Sequence, residues 1–248
     1  MTATPLSTSS TVHSWHEPAG IAPRGTLLLL AGRGETAQVY RRFGTRLAAD
    51  AYRVVAVPTD PAGADAAEAL AALIAEPDTP RPLVLVGVDS GGPHALRLAR
   101  EHAEAVDAVI LAGLPTRDTR PEEPEAEIAA RTACPNHRLV LGREGAAGSP
   151  AGQPPVVDAS PLGLPLLAVH GRADQISPPA EAAPLYRALG AASLVEVDGG
   201  LHDILNDVSH RSVAATVVLF LERLRNGAHL PPVVSELPDP GAQPATSR

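Results

Sequence analysis

Six short runs punctuate this chain: 26–31 (TLLLLA), 53–58 (RVVAVP), 82–87 (PLVLVG), 107–112 (DAVILA), 165–170 (PLLAVH) and 193–198 (SLVEVD). In several of them nearly every residue is apolar. A strand with one solvated face alternates apolar and polar residues, whereas a continuous apolar run suits a strand buried on both faces of a parallel sheet. The stretches between these runs are longer and amphipathic, and predict helices over 38–50, 62–76, 91–103, 179–189 and 210–225. In the last, Val213, Val217, Phe220, Leu221 and Leu224 recur at three- and four-residue spacing along one face. This alternation predicts a doubly wound, mostly parallel α/β sheet forming one domain over residues 1–225.

The rhythm breaks once, between Leu114 and Leu164. That stretch is rich in Pro, Gly and Glu and holds one expected helix at about 122–133. So long an excursion inside a compact domain predicts a lid insertion over about 116–164. Residues 226–248 are polar and proline-rich, and read as a disordered tail.

Composition removes several classes of function. The net charge is −8 and no cluster of basic residues stands out, which argues against nucleic acid. Aromatic residues, at 2%, are too scarce for base-stacking platforms. The longest apolar runs are far too short to span a bilayer, so no membrane span is expected. A single cysteine, Cys134, rules out an internal disulfide and fits a reducing compartment; it reads as a small buried residue. The opening residues lack the basic flank and apolar core of a signal peptide, and a cytoplasmic location is expected.

Open α/β sheets bind ligands beyond the carboxyl ends of their strands. Four such ends carry polar residues here. After the first, Gly32 and Gly34 let backbone N–H groups face a site; Gly32-x-Gly34-x-x-Ala37 also fits a weak dinucleotide fingerprint, with Asp60 ending the next strand. The second is "GVDSGG", where Asp89 is either a helix N-cap or a nucleophile on a glycine-bounded turn. The third places Asp174 a few residues after its strand, as a loop acid or an orienting acid. The fourth places His202 after a Gly-Gly turn. Nucleophile, acid and histidine in that chain order is the α/β-hydrolase arrangement.

From about Gly25 to Arg225 the chain resembles the α/β-hydrolase superfamily, nearest to its monoglyceride-lipase-like and lysophospholipase-like members. Ala31-Gly32-Arg33-Gly34-Glu35 is similar to their His-Gly-x-Gly-Glu oxyanion loop, with alanine in place of histidine. "HGRADQISPP" resembles the acid loop and "HDILND" the histidine segment. The resemblance implies Asp174 as acid, His202 as base and the N–H groups of Arg33 and Ser90 as oxyanion hole. It implies no metal and no cofactor. The partners it implies are a small-molecule substrate and, at most, a second copy of the chain in a homodimer.

The departure lies at the nucleophile, where Asp89 stands in the serine position. Aspartate there resembles the epoxide-hydrolase and haloalkane-dehalogenase branches. A carboxylate suits attack on an sp3 carbon, and the resulting ester is cleaved by water that His202 activates. Halide loss wants a tryptophan beside the nucleophile, and the only one, Trp15, lies near the N-terminus. Epoxide opening wants an acid; Tyr40 and His137 are candidates, and Arg138 is a candidate anion contact. The expected function is therefore hydrolysis of a small, largely apolar epoxide through Asp89. Alternatives are an esterase or lipase-like enzyme using Ser90, with the turn shifted by one residue, and a non-hydrolytic enzyme or binding protein on the same fold.

Overall fold

The computed structural model describes residues 12–59, 63–116, 120–144 and 156–235. Among the described residues seven strands form one sheet: β1 (His13–Trp15), β2 (Gly25–Leu30), β3 (Tyr52–Val57), β4 (Leu83–Val88), β5 (Ala108–Ala112), β6 (Leu166–Gly171) and β7 (Ser193–Val197). Their spatial order is β1-β3-β2-β4-β5-β6-β7. Only β1 pairs antiparallel; every other pairing is parallel. All six expected strands form within a residue or two of their expected bounds. β1 is an addition at the sheet edge.

Consecutive leucines of β2 show how a continuous apolar run works. Leu27 and Leu29 enter the core on one face, with Phe43 and Leu47 of α1 (Arg41–Ala49) and Val213, Val217 and Leu221 of α7 (His210–Arg225). Leu28 and Leu30 enter the core on the other face. There they meet Leu70 of α2 (Ala64–Ala75), Leu96 of α3 (Gly91–Glu101) and Tyr186 of α6 (Pro179–Ala188). All four leucines are fully buried, and truncating such a side chain to alanine costs roughly 2–5 kcal/mol. A short 3-10 helix, Ala37–Tyr40, precedes α1 where one helix over 38–50 was expected.

The insertion holds two helices rather than one, α4 (Pro124–Arg131) and α5 (Pro135–Glu144). The break falls at Thr132, which is extended, and Pro135 restarts the helix at its first turn, where a missing N–H costs nothing. Residues 117–119 and 145–155 of the insertion lie outside the described residues. The tail differs from its expectation at its start. Leu230 is buried in the core, and the Arg223 guanidinium donates to its carbonyl at 2.5 and 2.9 Å. Residues 236–248 lie outside the described residues. Among the described residues, no helix is long and apolar enough to cross a membrane.

Candidate active site

Between the end of β4 and the start of α3 the chain turns through Asp89 and Ser90. Asp89 has φ +45, a left-handed conformation that costs a residue with a Cβ roughly 1–2 kcal/mol. The glycines fix which residue occupies the apex. A Cβ on Gly87 would lie 2.5 Å from Gly92 Cα, and one on Gly91 would lie 2.3 Å from the Leu30 carbonyl oxygen. The crowded glycines stand two residues before and two after Asp89. Ser90, at φ −60 and ψ −20, is already helical and leads into α3.

Asp174 and His202 come from the loops after β6 and β7. One Asp174 oxygen, Oδ1, accepts the N–H groups of Ile176 at 2.9 Å and Ser177 at 3.0 Å. This leaves Oδ2 to face His202 Nδ1 at 2.8 Å, which orients the ring. The other ring nitrogen, His202 Nε2, lies 3.4 Å from Asp89 Oδ1. Both atoms are buried, and neither has a hydrogen-bond partner among the described residues. The Ser90 hydroxyl is therefore not bonded to His202.

All hydrogen bonds to the Asp89 carboxylate fall on its other oxygen. Oδ2 accepts the Arg33 N–H at 3.0 Å and the guanidinium of Arg120. Burial raises the Asp89 carboxyl, but the Arg120 charge and then His202 outweigh it and hold the group well below the usual carboxylate range. For His202, burial favours the neutral ring, yet the charge and hydrogen bond of Asp174, followed by Asp89, raise it to about 10. The resting pair is thus a carboxylate facing an imidazolium.

Arg120 is the residue that sequence reasoning missed. An arginine in a Pro- and Glu-rich stretch carries no spacing signal toward Asp89, and only the folded insertion brings them together. Its side chain is 7% exposed, and its second arm lies 3.5 Å from Glu127 of α4.

Behind the site, α4 is tied to two of its loops through Arg131. Its side chain is 1% exposed and bonds Glu35, next to the Gly32–Gly34 turn, and both oxygens of Asp203, next to His202. This layer absorbs the other expected site residues. The Tyr40 hydroxyl donates to Glu35 and accepts the Gly32 N–H at 3.0 Å. His137 Nε2 pairs with Asp203 at 2.9 Å, and Arg138 donates to the Thr132 carbonyl at 2.8 Å. None of the three is hydrogen-bonded to Asp89 or His202, so the expected acid and anion contacts are engaged elsewhere. Cys134 is buried with its thiol 3.4 Å from Arg42.

Two further possibilities meet this geometry. Glu35, His137 and Asp203 bring one ligand atom each within 4.8 Å of one another, a grouping that could hold a metal ion. Arg131 already bonds both carboxylates, so a guanidinium supplies the positive charge there. The Gly32 N–H, which a bound pyrophosphate would use, is spent on Glu35 Oε2 at 3.0 Å and on Tyr40, and Asp60 lies outside the described residues.

No family model matches the chain, and no curated protein matches it. Solved structures do match its fold. A monoacylglycerol lipase from Paleococcus ferrophilus superposes with a TM-score of 0.66 at 16% identity, over 88% of this chain and 99% of that one. A soluble variant of monoglyceride lipase from Saccharomyces cerevisiae, in complex with a substrate analog, gives 0.68 at 17% identity, over 86% and 91%. An esterase from a Rhodococcus species gives 0.64 at 19% identity, over 87% and 96%. The chain has the α/β-hydrolase fold.

Proposed function

We propose that the protein is a hydrolase that attacks an sp3 carbon through Asp89, with an epoxide of a small, largely apolar molecule as the leading substrate class. One observation carries this. Asp89 stands at the apex of the turn, with Oδ1 free of hydrogen bonds and facing His202 Nε2 at 3.4 Å. The lipase and esterase activities named for the matching structures are those proteins' own, and support hydrolytic chemistry on this fold.

The chemistry balances with the groups at hand. An Oδ1 lone pair attacks an epoxide carbon, the ring C–O bond breaks, and the alkoxide takes the Nε2 proton of the His202 imidazolium. Tyr40 and His137 are not needed as acids. This leaves an alkyl ester on Asp89 and a neutral imidazole. That imidazole now removes a proton from water, which adds to Asp89 Cγ. Charge builds on Oδ2, which already accepts the Arg33 N–H at 3.0 Å, and the Ser90 N–H is the second donor this reading assigns to it. Collapse breaks the Cγ–Oδ1 bond, the diol leaves with the proton that His202 returns, and the second water proton, left on the Asp89 carboxyl, passes to His202 to restore the starting pair. Attack on an ordinary carboxylic ester would instead give an anhydride.

A second reading, an esterase using Ser90, is favoured by the names of the matching structures. It is opposed by the helical position of Ser90 and by the absence of a hydrogen bond from His202 to its hydroxyl. Mass spectrometry separates the two. His202→Gln lacks the base of the second step, so styrene oxide should leave an ester on the Asp89 peptide even though its formation slows. An acyl group on Ser90 after treatment with p-nitrophenyl butyrate, with no adduct on Asp89, would establish the esterase reading instead.

A further inference from the structure

We infer that Arg120 is a catalytic residue, acting as a charged donor to the oxyanion that forms on Asp89 Oδ2 when the covalent ester is hydrolysed. This rests on the reading of Asp89 as the nucleophile.

The asymmetry of the Asp89 carboxylate motivates it. A guanidinium that merely neutralises a carboxylate favours the two-armed pairing, one N–H to each oxygen. Arg120 does otherwise. It places Nη2 on Oδ2, the oxygen that also accepts the Arg33 N–H at 3.0 Å, and leaves Oδ1 with no hydrogen bond among the described residues. Its other arm, Nη1, is turned toward Glu127, 3.5 Å away. Glu127 is itself 5% exposed and lies 3.6 Å from Arg131, so the guanidinium is fixed before any substrate arrives. Donors collect on one oxygen, and the other is left bare beside the histidine. A nucleophile whose second oxygen becomes an oxyanion requires that division.

Charge gives Arg120 opposite effects on the two half-reactions. In the resting enzyme its positive charge stabilises the carboxylate and restrains its attack. Alkylation removes the carboxylate charge, and the same guanidinium then polarises the ester carbonyl through Oδ2. Water adds to Cγ, its proton passes to His202 Nε2, and the carbonyl π pair moves to Oδ2 against Arg120. When that pair returns, the Cγ–Oδ1 bond breaks and the departing alcohol takes the proton from His202. Fixed donors of this kind act in a water-poor site at no cost of reorganisation.

The test is a rapid-quench single turnover with styrene oxide, with the ester on Asp89 followed by intact-protein and peptide mass. In Arg120→Gln, ester formation should be no slower than in the wild type. Its breakdown should slow by roughly 100-fold or more, the usual loss on removing one oxyanion donor, so that the ester accumulates. Arg120→Lys should recover part of the breakdown rate, and ethylguanidine added to Arg120→Ala should restore it in proportion to its concentration. A purely structural arginine would slow both steps together and would not respond to ethylguanidine. Should Arg120→Gln fail to fold, the Arg120→Lys and rescue measurements decide alone. If the wild type forms the ester on Asp89 and the Arg120 variants break it down at the wild-type rate, Arg120 has no such role and the nucleophile reading stands. If no ester forms on Asp89 in either the wild type or His202→Gln, the nucleophile reading falls and this inference with it.

Discussion

Asp89 Oδ1 and His202 Nε2 face each other across 3.4 Å inside the protein, and neither atom has another hydrogen-bond partner. A buried polar atom without a partner ordinarily costs about 1–3 kcal/mol. Two such atoms side by side support the proposal that Asp89 is a nucleophile and His202 the base beside it.

The charge state of this pair makes stability depend on pH. His202 is raised from 6.5 to about 10 in the folded protein, because Asp174 and Asp89 outweigh its burial. The folded state holds that proton more tightly, so the contribution is complete below about 6.5 and disappears as pH rises through about 10. Asp89 and Asp174 shift the opposite way, from 3.8 downward, and their contribution is present above that value and fades as pH falls. Urea unfolding should therefore show greatest stability between about 4 and 6.5, and a decline toward pH 10. In His202→Gln the alkaline decline should be much shallower. An unchanged alkaline slope in that variant would place the titration elsewhere.

The left-handed backbone at Asp89 can be read by comparing two variants. Asp89→Gly and Asp89→Ala both remove the carboxylate and leave Arg120 with the same loss, but only alanine keeps a Cβ at φ +45. Asp89→Gly should be the more stable by about 1 kcal/mol in denaturant unfolding. Equal stabilities would mean that Asp89 is not held at a strained turn.

Arg131 should be among the most sensitive positions outside the reacting groups. Its side chain is 1% exposed and bonds Glu35 and Asp203, with Glu127 3.6 Å away. Removing one member of a buried ion network strands the others, and Arg131→Gln should cost roughly 3–5 kcal/mol at neutral pH. The loss should shrink in acid, where the stranded carboxylates take up protons. A cost under about 1 kcal/mol would mean that water reaches this network and screens it.

The sheet was legible in the sequence because burial on both faces leaves an unmistakable mark: unbroken apolar runs such as those around Leu28 and Leu85. The edge strand β1 leaves none, being three residues long with only one pairing partner. In α5, Leu139, Val140 and Leu141 follow one another without helical spacing, and Leu139 is 59% exposed, so no amphipathic stripe announced it. Asp89, Asp174 and His202 stood out because each follows a strand and the glycines around Asp89 set its frame. Glu127 and Arg131 stand four apart on one helix, a spacing the sequence does show, but Arg120 joins them and Asp89 only through tertiary packing, which no local spacing encodes.

Whether Asp89 is the nucleophile can be read from the origin of the product oxygen. With enzyme in excess over styrene oxide, one turnover in oxygen-18 water should give largely unlabelled diol, because the delivered oxygen is Asp89 Oδ1. The label should appear in the peptide that contains Asp89, where the water oxygen stays behind. Labelled diol with an unlabelled Asp89 peptide would show that water attacks the substrate carbon itself and that Asp89 is not the nucleophile.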